Sequence, residues 1–489
     1  MGRGAPLTEH LLRRAGFGAS PSDLAALDRY APAAVIEYLL NFDNQPADID
    51  SKIGNPAYAT IAAANGAFAP DLNIDHARQR WLFRMLHSER PLQEKMALFW
   101  HNHFATAYTK IASGLNSQVQ GTKTMALVSG NYPGPQGQIE TFRQMALGKF
   151  RDLLLEMARD PAMLVWLDGR TNTRLRPQEN FGREIMELFT FGLGNYTEQD
   201  VYAAARVFTG WNLRFVNSGR GIDDPGSYYE FLFNASLHDP DAKAFTFEIY
   251  PDGSKTIPSR STSDGMQDGI DFITALANHP NTAKRLARKL WHYLISDAIV
   301  PDEAFVDQAA AIYLRYDTSI RAVVEFILKS PWFMDSTQWS TRYSWPAEFV
   351  TRAVKEVGWS GYSVDTSRVA LIAMNQVLFE PPDVAGWELG EGWLSTGTML
   401  SRMNFASSLA LNQKFNLARA VMPIRDSADK VVEYFLERLS PLPYDDQPVA
   451  ELKAYMLAGG PWTGTDAQLQ TKTAGLIKLI VGSSEYQLV

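Results

Sequence analysis

The sequence predicts a mainly α-helical protein, one large helical body carrying a small β insertion at about 212–262. Three observations predict it. Helix-start chemistry and 3.6-residue apolar spacing recur along most of the 489 residues. Residues 212–262 break that pattern with Gly/Asp/Pro-rich turns and two β-like runs, YYEFLF (228–233) and FTFEIY (245–250). No linker is long enough to separate independent domains. The expected organisation is 1–211 with the His and Glu clusters, 212–262 as the insertion, and 263–489 as a C-terminal helical part.

The elements follow in order. Ser20-Pro21-Ser22-Asp23 reads as a helix start, with an N-cap residue, Pro in the first turn and an acid behind it. Pro32 opens a helix through Phe42. Residues 76–88 put Trp81, Leu82, Met85 and Leu86 on one face, and Pro91 begins LQEKMALFWHNHF. Residues 139–167 hold two or three helices, broken near Gly148 and Asp160-Pro161. Thr197 and Asp200 form a capping box for a helix to about Thr209. Helical periodicity returns at 265 and holds to the end, with breaks at Pro280, Pro301, Pro331 and the loop 379–397.

Composition narrows the function. Hydrophobic residues are 46% and charged residues 20%, an ordinary globular balance. The net charge of −8 argues against a nucleic-acid partner, which needs a concentrated basic field. The absence of Cys excludes disulfides, thiolate metal sites and a Cys nucleophile. No run of about 18 apolar residues exists, so no membrane span is expected. The N-terminus has no apolar core of the secretory type, so no signal peptide is expected in this chain. Aromatics reach 12%, which suits stacking on sugar faces as well as a large core.

Four clusters carry candidate chemistry. In the first, Trp100-His101-Asn102-His103-Phe104, neutral imidazoles sit among aromatics. Two His at i, i+2 diverge by ~200° on a helix, so either the helix breaks near Asn102 or one His is structural. In the second, Asn180, Arg183, Glu184 and Glu187 fall at i, i+3, i+4 and i+7 and share one helix face. Acids on a face with apolar neighbours need a partner or a metal. The plain alternative is a solvated face with Arg183 paired to Glu187. The third is His238-Asp239 with Lys243, in a loop after a β-like run. The fourth is the loop Glu380–Trp387 with Trp393. No nucleophile elbow, Walker loop, H-E-x-x-H or dinucleotide fingerprint is present.

These segments, in order, give the chain its resemblance to the bacterial family known as "domain of unknown function 1800". The segments are LLRRAGFGASP (11–21), RPLQEKMALFWHNHFAT (90–106), PQENFGREIMELFTFGLGNYTEQDVYAAARVFTGW (177–211), LHDPDAKAFTF (237–247), LANHPNTAKRLARKLWHYLIS (276–296), PAEFVTRAVKEVG (346–358), 374–406 and the closing IVGSSEYQLV. Gln178 and Leu237 depart from the residues usual there. The resemblance implies a mostly helical fold and export to the periplasm or medium. It also implies a sulfatase-like partner. It implies no reaction.

The residues lead to a hydrolase of a polymeric or glycan-like substrate. His101, His103 and His238 are the candidate ligands of a divalent metal that activates water. Glu184, Glu187 and Asp239 are the candidate carboxylates, and Arg183 or Lys243 stabilises developing charge. Trp100, Asn102, Asn180, Trp211, Trp387 and Trp393 are candidate substrate contacts. Three alternatives use the same residues: a metal-independent glycosidase with paired carboxylates, a non-catalytic binding or assembly protein, and a haem or oxidative enzyme with an axial His. Two geometric expectations follow. His103, Glu184 and His238 lie within ~8 Å of one another around one cavity. The 379–397 loop brings Trp387 or Trp393 to its wall.

Overall fold

Helices begin where side-chain chemistry starts them. The Asp23 amide donates to Ser20 Oγ (3.2 Å), and the Ser20 amide donates to the Asp23 carboxylate (2.8 Å), opening the helix Pro21–Leu27. Thr197 and Asp200 make the same reciprocal pair at Glu198–Val207. Pro stands in the first turn of Pro32–Leu40, Pro91–His103, Pro161–Trp166, Pro280–Leu294 and Pro346–Val357. Its missing N–H is an orphan donor there in any case. The computed structural model describes residues 6–63, 66–440 and 444–489, and among them are 24 α-helices and two two-stranded sheets. None of these helices is long and apolar enough to cross a membrane.

All ladder strands fall between 211 and 257. Trp211–Val216 pairs antiparallel with Tyr228–Phe233, with Trp211 opposite Phe233 and Val216 opposite Tyr228. Lys243–Ala244 pairs with Thr256–Ile257. The expected strand at 245–250 is not one. Phe245, Phe247 and Ile249 alternate inward, as a strand would, but they pack on the helix Met266–Asn278, where Phe245 stacks on Phe272 at 4.9 Å. The Thr246 amide donates to Asp200 (2.7 Å) instead of to a neighbouring strand.

Two helices position the rest. Pro346–Val357 is buried along its whole length, so its charges must be satisfied internally. Glu348 takes the Lys95 ammonium and the Arg342 guanidinium (2.8 Å), and Glu356 takes Arg13 (2.9 Å) and Arg352 (3.3 Å). These pairs tie the first helix to the centre, and the Val489 amide donates to the Arg342 carbonyl (2.8 Å) at the other end of the chain. Pro280–Leu294 buries Ala283, Leu286, Ala287, Leu290, Trp291 and Leu294. Its less buried positions include Lys284, Arg285, Arg288, Lys289 and His292.

Candidate functional site

A cavity of about 210 Å³ opens between Pro91–His103 and Pro280–Leu294. The first helix contributes Phe99, Asn102 and His103, which its pitch places on one face at i, i+3 and i+4. The second contributes Arg285, Lys289 and His292, spaced i, i+4 and i+7, with Tyr293 beside them. Asp297 and Trp345 line another side, and Ala385, Trp387 and Leu389 close the rim.

The segment after Glu184 leaves α-geometry. Ile185–Phe189 is a π-helical turn, steadied by the Thr190 hydroxyl donating to the Ile185 carbonyl (2.6 Å). Such turns free carbonyls from the regular ladder and recur at functional sites. Here the Leu188 carbonyl accepts from Arg285 Nη2 (3.2 Å) and the Phe189 carbonyl accepts from His103 Nε2 (3.1 Å). The loop opposite is pinned by Asn102, whose Oδ1 accepts from the Trp387 amide (2.7 Å). Gly386 has φ +92°, and a Cβ there would sit 2.3 Å from Asn102 Oδ1, so only glycine fits.

The hydrogen bonds assign the protons. His103 Nε2 faces a carbonyl and must carry the hydrogen, which leaves Nδ1 to accept from Lys289 Nζ (3.1 Å). Burial, with Lys289 and Arg285 beside it, holds His103 well below its usual pKa, so it stays neutral. Burial and the neighbouring Arg285 push the Lys289 ammonium down to about 7. Among the described residues neither Lys289 nor Arg285 forms an ion pair, and Arg285 Nε is buried without a hydrogen-bond partner. His292 Nδ1 donates to the Ser296 carbonyl (3.1 Å), leaving Nε2 without a protein partner among the described residues. Burial raises the Asp297 carboxyl despite the nearby Arg342.

The sequence-predicted residues divide. His103, Asn102 and Trp387 reach the cavity. Trp393 stands behind its wall, 6.1 Å from Trp345 between ring centroids. The loop brings Trp387 to this cavity, whereas the expectation placed it at a centre shared by His103, Glu184 and His238. The expected shared centre does not form. The helix runs unbroken through His103, so His101 turns away, and its Nε2 accepts from the Phe379 amide (3.0 Å). His238 is fully buried elsewhere, between the Thr209 carbonyl (2.9 Å) and Asp268 (3.2 Å). Lys243 joins the same Asp268, and Asp239 is paired with Arg206 (2.7 Å). That cluster anchors the insertion.

Among the described residues no group of three His, Asp or Glu is arranged to hold a metal ion. The nitrogens that a metal or haem iron would need on His103 and His238 are engaged by protein, as is Nε2 of His101.

The 180–187 face is also revised. Arg183 lies at the surface between Glu198 (2.8 Å) and Glu179 (3.3 Å), and Asn180 is exposed, bonded to Asp168 (3.1 Å). Glu184 is half-buried and raised by burial and by Glu187, while Glu187 accepts from the Tyr196 hydroxyl. Neither carboxylate lines the cavity. Trp100 and Trp211 are core residues, with Trp100 Nε1 donating to the Ala146 carbonyl (3.0 Å).

Sequence reasoning missed Arg285, Lys289, Asp297 and Trp345 and set His292 aside as packing. The signal was present: three basic positions at i, i+4 and i+7 of one helix, with no acid on that stripe.

No curated protein and no solved structure matches the chain. The family model described as "Protein of unknown function (DUF1800)" matches residues 10–488. The chain belongs to that family.

Proposed function

We propose that the protein is a hydrolase acting on a glycan-like substrate that carries an anionic group, with the cleft between Pro91–His103 and Pro280–Leu294 as its active site. One observation carries the reading. Lys289 and Arg285 face the cavity with no carboxylate paired to either among the described residues. Cations partly withdrawn from water gain from a counter-charge, and a carboxylate, sulfate or phosphate on a ligand would supply it. Phe99, Trp345 and Trp387 make part of the lining apolar, which suits the C–H face of a sugar ring.

The remaining polar groups suit water addition. Ser296 fixes the His292 tautomer and leaves Nε2 as a base. In the proposed step Nε2 takes a proton from water and the water oxygen bonds to the reacting carbon. The bond from that carbon to the leaving oxygen breaks, and that oxygen takes a proton from the Asp297 carboxyl, whose neutral form burial favours. Arg285 and Lys289 hold the anionic group and orient the ring. The scheme replaces the expected carboxylate pair with His292 and Asp297, and it uses no nitrogen already bonded to protein.

The test is calorimetric titration with galacturonate and galactose, together with turnover on a panel of chromogenic glycosides of acidic sugars. Galacturonate should bind and galactose should not. Lys289→Met should weaken galacturonate at least tenfold, and His292→Ala should retain binding and lose turnover. Equal binding of the two sugars by the wild type would sink the anionic-site reading. Undiminished turnover in His292→Ala would sink the hydrolytic scheme.

A further inference from the structure

The cleft does not end at Lys289. A second cavity of about 530 Å³ lies outward along Pro280–Leu294 and shares Arg285, Lys289 and His292 with the first. Lys284 and Arg288 line its far side, and none of its lining residues is acidic. Gly192 forms part of its wall with φ +84°, and a Cβ there would stand 2.7 Å from Arg285 Nη1. The bare glycine lets the guanidinium lie at the junction of the two cavities, with its buried Nε unpartnered.

Two acids do touch the outer cations: Asp307 pairs with Lys284 (2.7 Å) and Glu303 with Arg288 (2.7 Å). Both pairs are open to solvent, where such bridges are weak and exchangeable. From Lys284 to His292 the helix advances ~12 Å, more than one sugar ring occupies.

We propose that the outer groove is a second anionic subsite continuous with the cleft. The substrate is then an acidic oligosaccharide or polysaccharide, with one charged unit against Lys289 and Arg285 and the next over Lys284 and Arg288. The inference rests on the reading of the cleft given above and extends it from one anionic unit to a chain of them. An acidic peptide shares the charge but lacks rings to match Trp345 and Trp387.

The experiment is calorimetric titration of the full chain with galacturonate, tetragalacturonate, neutral maltotetraose and a tetraglutamate peptide, at low and physiological salt. Tetragalacturonate should bind more tightly than galacturonate, with steeper weakening by salt. The double variant Lys284→Ala/Arg288→Ala should lose about tenfold in tetragalacturonate affinity, two exposed charge contacts' worth. Its galacturonate affinity should not move, which also reports that it folds.

If tetragalacturonate binds no more tightly than galacturonate and both depend on Lys289, the outer subsite is refuted while the cleft reading stands. If the wild type does not bind galacturonate, the cleft reading fails first and takes the subsite with it. Tetraglutamate binding as tightly as tetragalacturonate would overturn the assignment to a sugar chain.

Discussion

The charges around Pro346–Val357 are buried and those on the cleft face of Pro280–Leu294 are partly buried, yet the two sets are handled oppositely. On the first helix, Glu348 and Glu356 between them take Lys95, Arg342, Arg13 and Arg352. On the second, Lys289 bonds only a neutral imidazole, and Arg285 bonds a carbonyl and feels Glu187 through space without forming an ion pair. A paired charge is part of the packing, and removing one partner strands the other. A cation left unpaired weakens the fold, and a ligand that brings the counter-charge offsets that cost.

The largest effect should come from the paired side. Glu348→Gln leaves Lys95 and Arg342 facing a neutral amide, and should lower unfolding free energy by about 3–5 kcal/mol in urea titration. A loss under about 1 kcal/mol would show that these pairs do not organise the core. Lys289→Met removes a charge with no counter-charge. It should hold stability or raise it by about 1 kcal/mol at neutral pH, while weakening galacturonate at least tenfold. Loss of both stability and binding would place Lys289 with the structural charges.

The pH dependence sharpens the same contrast. Lys289 is depressed to about 7 in the folded chain and returns to ~10.4 when unfolded. Below pH 7 both states hold the proton, and the penalty of the buried charge is fully present. Between about pH 7 and ~10.4 the unfolded state binds more protons, so stability from this group rises with pH. The stability advantage of Lys289→Met over wild type should therefore be largest below pH 7 and shrink through pH 10, as read by unfolding at a series of pH values. An advantage that grows with pH would contradict the depressed pKa. The smallest effect belongs to Arg183→Ala, whose pairs are exposed. Stability should change by no more than ~0.5 kcal/mol, with galacturonate affinity unaltered in the same titration.

Much of the fold was legible because its signals are local. Pro in first turns, the Ser20 and Thr197 capping boxes, and the alternating aromatics at 228–233 each fix their element with near neighbours. The run 245–250 misled because alternation reports which side chains face inward, and a helix satisfies that as well as a sheet does. The site was legible in part. Asn102, His103 and Trp387 stood out as polar or aromatic residues in unusual company, and helix geometry already cast doubt on His101 sharing its neighbour's centre. The convergence of His103, Glu184 and His238 failed because each cluster had satisfiers invisible in the sequence: Asp268 for His238, and for His103 a carbonyl freed by a π turn. That turn also breaks the continuous α face assumed for 180–187. Lys289 was overlooked because a lysine on an amphipathic helix looks solvated until the neighbouring helices are in place.

The central claim is that Lys289 awaits an anion, and proton-linked calorimetry tests it most directly. At pH 8 a group with pKa about 7 is mostly neutral, and a bound carboxylate would raise that pKa and draw in a proton. Galacturonate titrated in two buffers of different ionisation enthalpy should show uptake of about one proton per ligand bound, absent in Lys289→Met. Binding with no proton uptake, at the same affinity in wild type and Lys289→Met, would contradict the account.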